Sequence, residues 1–181
     1  MRWRNTDNNW GATIITLHWL SALVVFGLFA LGLYMTSLNL YHPWYHEAPH
    51  LHRSIGVLLF LATLLRLGWR LWNPPPTPLA NHQWWEKLLA PLVHGLLYLL
   101  LFAVMLSGYL ITTADGRGIE VFNWFTVPAT FSGRETQEEI AGSAHLFLAW
   151  TLITFALLHA GAAFKHHFID RDSTLRRMLG M

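Results

Sequence analysis

The chain has 181 residues, of which 54% are hydrophobic and 12% charged, too apolar and too sparsely charged for a water-soluble globule of that length. A formal net charge of +2 without a basic stripe excludes a nucleic-acid partner. The lack of cysteine excludes disulfides, thiolate metal sites, cysteine-ligated iron–sulfur clusters and covalently attached c-type haem.

The surrounding solvent is therefore expected to be lipid. Ten tryptophans are present, and many flank apolar runs, where an amphipathic ring prefers the headgroup layer. About 20 apolar residues are needed to cross the hydrocarbon core as a helix. Taken from the N-terminus, the first such stretch is Thr13 to Met35, too long for a cleavable signal and without an A-x-A-like site. The second runs from His52 to Trp72 and is stopped by Asn73-Pro74-Pro75-Pro76-Thr77-Pro78, whose prolines fix φ and lack donors. The third is Leu92 to Thr112. A connector from Thr113 to Ser143, containing Asp115-Gly116-Arg117-Gly118, reads as an ordinary exposed loop. The fourth is Ala144 to Phe164. The expectation is one domain over residues 1–181, an all-α integral membrane protein built as a four-helix transmembrane bundle.

Basic residues set the orientation. Arg2, Arg4, Arg66, Arg70, Lys87, Lys165, Arg171, Arg176 and Arg177 fall on one side, against Arg53, Arg117 and Arg134 on the other. The positive-inside bias then places both termini in the cytoplasm. Arg66 and Arg70 lie in the last two turns of the second span, placed to snorkel toward that interface or to meet an anionic group.

Ionisable side chains within a span are costly and mark function. His18 lies five residues from the inner end of the first span, and His159 five from the inner end of the fourth. His52 and His145 open the second and fourth spans from the outer side. The histidines thus pair by depth. His145 and His159, fourteen residues apart, return to nearly the same helix face about 21 Å apart along the axis. A haem needs an axial nitrogen on each face. With no cysteine and only Met35 and Met105 within spans, bis-histidine ligation of two haems by His18 with His159 and His52 with His145 is the economical reading. Gly56, Gly142 and Ala149, and Gly161 to Ala163, leave room for a porphyrin.

The remaining histidines carry weaker expectations. His94 has no partner at its level once these four are paired, which assigns it a structural hydrogen bond or a quinone contact. His42, His46 and His50 precede His52 at four-residue spacing, which on a helix would align them for zinc or copper, without an accompanying carboxylate motif. His166 and His167 follow the fourth span, placed for solvent, lipid or a quinone.

Leu17-His18-Trp19-Leu20, Leu51-His52-Arg53-Ser54-Ile55-Gly56, His94-Gly95-Leu96-Leu97-Tyr98, the His145 to His159 pair and the ending His166-His167-Phe168-Ile169-Asp170-Arg171-Asp172-Ser173-Thr174-Leu175-Arg176-Arg177-Met178 together resemble the bacterial cytochrome b561 family from about residue 10 to 179. The resemblance implies an inner-membrane dihaem cytochrome with two haems b, ligands at His18, His52, His145 and His159, and ubiquinone as redox partner. It also implies superoxide as an electron donor in at least one member. Here the outer side carries Arg53, Arg117 and Arg134 against Glu47, Asp115, Glu120, Glu135, Glu138 and Glu139, an acidic balance that steers an anion away. Arg53 and Arg66 are candidates for haem propionate contacts. His94, Arg70, His166 and His167 are candidates for a quinone site, histidine being able to deliver protons near neutral pH. Two rival readings are a membrane anchor and electron conduit for a periplasmic redox protein, and a haem-free proton or metal transporter.

Overall fold

The computed structural model describes residues 2–181. Four long helices dominate: α1 (Ala12–Thr36), α2 (Glu47–Trp72), α3 (Trp84–Thr112) and α4 (Gln137–Phe168). Their mean hydropathies are 2.2, 1.5, 2.3 and 1.8, and only 11–17% of the most apolar stretch of each is buried against protein. Leucines and phenylalanines such as Leu23, Leu65, Leu99, Phe147 and Leu158 stand exposed along them. Such a surface belongs in hydrocarbon, where helices alone satisfy their own backbone polar groups. The protein is an all-α, multi-pass membrane protein.

Each helix outruns its apolar stretch in sequence. α2 begins at Glu47, α3 at Trp84 and α4 at Gln137, and their first turns carry Glu47, Glu86, and Glu138 with Glu139. Carboxylates complement the positive end of the helix dipole, so these polar residues begin helices that a hydrophobic window assigns to loops.

The chain divides into two compact units, each containing part of all four helices. The first comprises residues 1–22, 62–98 and 154–181. The N-terminal arm is tied there to the proline-rich connector: Asn5 Nδ2 donates to the carbonyls of Asn73 (3.1 Å) and Pro74 (2.9 Å), and Thr77 N donates to Asp7 O at 2.9 Å. A short C-terminal helix, α5 (Thr174–Met178), is pinned by Trp19 Nε1, which donates to Met178 O at 2.8 Å.

The second unit comprises residues 23–61 and 99–153. The expected exposed loop after α3 instead contains a hairpin, with β1 (Ile119–Val121) antiparallel to β2 (Phe125–Val127) and Ile119 opposite Val127. Its turn places Phe122 and Asn123 at φ 47° and 59°, and Trp124 N closes it on Val121 O at 2.8 Å, the pattern that suits a twisted hairpin. Ile119 and Val121 are buried. The fully buried Ser54 hydroxyl of α2 donates to Glu120 O (3.3 Å) and accepts from Phe122 N (3.2 Å), fastening the hairpin beside His52 and Arg53. Strands of three residues are too short to show an alternating pattern in sequence.

Candidate functional site

In the second unit, His52 of α2 and His145 of α4 face one another with ring centroids 6.2 Å apart and planes 72° apart. A metal bound to an imidazole nitrogen at about 2.0–2.1 Å lies roughly 3.1 Å from that ring's centre. One ion between two rings therefore needs about 6.3 Å, and the pair stands at that separation.

The nitrogen that His145 offers is set by its neighbours. Its Nδ1 lies 3.0 Å from Val104 O and 3.1 Å from Ser107 Oγ. A carbonyl only accepts, so Nδ1 carries the proton and Nε2 keeps its lone pair for a metal. Ser107→Ala leaves the carbonyl bond in place, so the metal is expected to stay. One lost hydrogen bond of about 1 kcal/mol corresponds to a shift of roughly tens of millivolts in a one-electron couple, readable by redox titration.

Two glycines decide how closely these rings approach the other helices. A Cβ on Gly32 of α1 would lie 3.3 Å from His52 Cε1, and one on Gly108 of α3 would lie 3.1 Å from His145 Cε1. Around the pair is a cavity of about 1610 Å³, lined by His50, Arg53, Gly56, Met105, Gly142 and Ala149 among others. That exceeds the roughly 300–1,000 Å³ of ordinary small-ligand pockets and leaves space for a flat macrocycle. Gly56, Gly142 and Ala149 are the small residues that sequence spacing marks. Gly32 and Gly108 escape that reading, because each acts on a histidine of another helix.

In the first unit, His18 of α1 and His159 of α4 repeat the arrangement, with centroids 6.3 Å apart and planes 81° apart. Arg66 Nη2 lies 2.8 Å from His18 Nδ1. A guanidinium cannot accept, so this contact places the His18 proton on Nε2. Were Nε2 to hold a metal, the proton would sit on Nδ1 and Arg66 would be free to meet an anionic oxygen. Arg66 and Arg70 both stand over the Tyr98 ring, at 5.4 and 5.9 Å, while Tyr98 Oη and Arg66 Nε are buried without hydrogen-bond partners.

His94 stands beside a histidine that is already paired: its ring meets that of His159 edge-on at 5.2 Å, about 1 Å too close to share an ion. His167 packs on Phe168 at 4.7 Å. His166 joins a polar cluster with His82 and Asp172 instead. His42, His46 and His50 are not brought together; they face Tyr34, Tyr45 and Phe122 respectively.

Comparison with known proteins agrees with this architecture along the entire chain. The family described as prokaryotic cytochrome b561 matches residues 9–181. Cytochrome b561 homolog 2 of Escherichia coli is 49% identical over 180 residues, covering 99% of this chain and 96% of the relative. Cytochrome b561 homolog 1 of Escherichia coli is 27% identical, covering 95% and 97%. A Yersinia pestis protein named probable superoxide oxidase CybB is 28% identical, covering 91% and 92%.

Proposed function

The chain belongs to the prokaryotic cytochrome b561 family, and on that premise we propose that it transfers electrons between a redox partner at the outer face of the bacterial inner membrane and membrane quinone. Membership implies haem b. Two are assigned here, one to His52 with His145 and one to His18 with His159. The observation that carries this is the repeated 6.2 and 6.3 Å spacing of opposed imidazoles. Bound haem supplies the one-electron couple. Everything else falls to side chains of this chain. Val104 O and Ser107 Oγ orient His145. Apolar walls such as Val25, Leu28 and Leu152 keep water from the cavity. Arg53, in the cavity lining, would supply the cation for a haem propionate.

The quinone is assigned to the neighbourhood of His18. Arg66, once released from His18 Nδ1, and Arg70 offer donors to a carbonyl oxygen. The unpartnered Tyr98 hydroxyl offers another, and His94 and His167 can bring protons from the cytoplasmic face, where both termini are placed.

Stopped-flow spectroscopy tests the reading. Oxidised protein mixed with ubiquinol, or reduced protein mixed with ubiquinone, is expected to change its haem absorbance rapidly; no exchange in either direction contradicts the proposal. The Yersinia relative's name recommends a superoxide arm. Rapid reduction by superoxide would assign the donor, whereas the acidic outer balance predicts slow reduction at low salt.

A further inference from the structure

We propose that His82, His166 and Asp172 form a binding site for one divalent transition-metal ion of the zinc type, joining the α2–α3 connector to the end of α4 and the turn before α5. The site is separate from both imidazole pairs and does not depend on the haem assignment.

His82 Nε2, His166 Nδ1 or Nε2 and an Asp172 carboxylate oxygen fall within 4.8 Å of one another. Asp172 Oδ2 lies 3.0 Å from His82 Nε2 and 3.1 Å from His166 Nδ1. A tetrahedral ion with bonds of about 2.0–2.1 Å sets its ligand atoms roughly 3.3 Å apart, so Asp172 Oδ2 and the two imidazole nitrogens need to open only slightly to admit one. Imidazole with carboxylate is a donor set that suits zinc.

His166 does not behave as an ordinary hydrogen-bonding ring. Its Nδ1 is 2.9 Å from Asp170 Oδ2 and 3.1 Å from Asp172 Oδ2, yet it is buried without a hydrogen-bond partner, off the line of both. That unpartnered nitrogen beside Asp172 suits a co-ligand of one ion, whereas His82 Nε2 hydrogen-bonds to Asp172 Oδ2 and would exchange that bond for the metal. The orientation of Asp172 is fixed from behind, since Thr174 N donates to its Oδ1 at 2.7 Å, the kind of outer support that metal ligands carry. Side-chain exposures of 17%, 14% and 3% for His82, His166 and Asp172 leave room for a water in the fourth position.

Charge points the same way. Glu86, Asp170 and Asp172 bring three negative charges into the cluster. Among the described residues Lys165 alone of the lysines and arginines pairs with them, at 2.8 Å from Glu86 and 2.6 Å from Asp170. Asp172 is hydrogen-bonded by Thr174 N and His82 Nε2 but pairs with no lysine or arginine among the described residues, a costly arrangement for a carboxylate so nearly enclosed. A divalent cation balances the remainder.

The test uses the tag-free, haem-loaded protein in detergent, stripped with a chelator and titrated with zinc chloride by calorimetry. One saturable equivalent per chain is expected, weakened on the order of 100-fold or more by His82→Gln and by Asp172→Asn, and unchanged by His42→Gln. Unaltered haem spectra show that the variants are folded. Zinc in large excess over its dissociation constant should also raise the thermal midpoint of the native protein by roughly 5 °C, and not that of His82→Gln. Lack of a saturable equivalent in the native protein, or equal binding by native and His82→Gln protein, overturns the proposal and leaves the cluster a hydrogen-bonded ion-pair knot.

Discussion

His159→Ala is expected to halve the haem content, from two per chain to one, while the remaining haem keeps its absorbance and potential. The ring it removes is one of two opposed imidazoles 6.3 Å apart in the first unit, and an alanine offers iron nothing. The surviving pair, His52 and His145, is built from residues of the second unit, with its own supporting bonds to Val104 and Ser107. His94 is the residue best placed to confuse the result, because its ring is 5.2 Å from that of His159. His94→Phe is therefore the companion variant, and it should retain both haems. The pyridine haemochrome ratio to protein reads both. Two haems in His159→Ala, or one in His94→Phe, would move the ligand assignment to His94.

Gly108→Val is expected to produce the mirror-image loss, emptying the His52–His145 pair and sparing the His18–His159 pair. Even the first carbon of the new side chain would lie 3.1 Å from His145 Cε1 and 3.4 Å from Nδ1. The ring cannot swing aside freely, because its Nδ1 is held by Val104 and Ser107, both on the same helix as Gly108. Overpacking of this kind costs about 1–3 kcal/mol, roughly 5–150-fold in haem affinity. Gly32→Ala, with a 3.3 Å approach to His52 Cε1, should show a smaller effect in the same direction. Gly95→Ala meets nothing within 4 Å and serves as the neutral control. Full haem occupancy in Gly108→Val would mean that His145 is free to relocate.

Much of this architecture is legible in the order of the amino acids. A run of about 20 apolar residues is a physical requirement of the bilayer, so the four helices can be found by length and composition alone. Matching His18 with His159 and His52 with His145 needs only helical rise and chain direction, and the structure brings both pairs face to face. What stays hidden in the sequence depends on contacts between segments distant in the chain. Gly32 and Gly108 look like ordinary small residues of apolar helices until the rings of His52 and His145 are seen against them. Depth arithmetic leaves His94 over without saying what it touches, because it places residues along helices but not around them, and the edge-on packing on His159 is a matter of azimuth. The histidines before α2 illustrate the opposite error. Four-residue spacing aligns side chains only if the segment is helical, and α2 begins at Glu47, so His42 and His46 precede it and turn to separate aromatic partners. The cluster of His82, His166 and Asp172 draws on positions up to 90 residues apart, and no local motif announces it.

We assign one haem b to each of the two pairs of opposed histidines, whose imidazole planes stand nearly perpendicular. Electron paramagnetic resonance of the oxidised, purified protein at liquid-helium temperature tests this assignment most directly. Two strongly anisotropic low-spin ferric signals are expected, integrating together to two spins per chain. A single low-spin species integrating to one spin, or a dominant high-spin signal from five-coordinate iron, would contradict it.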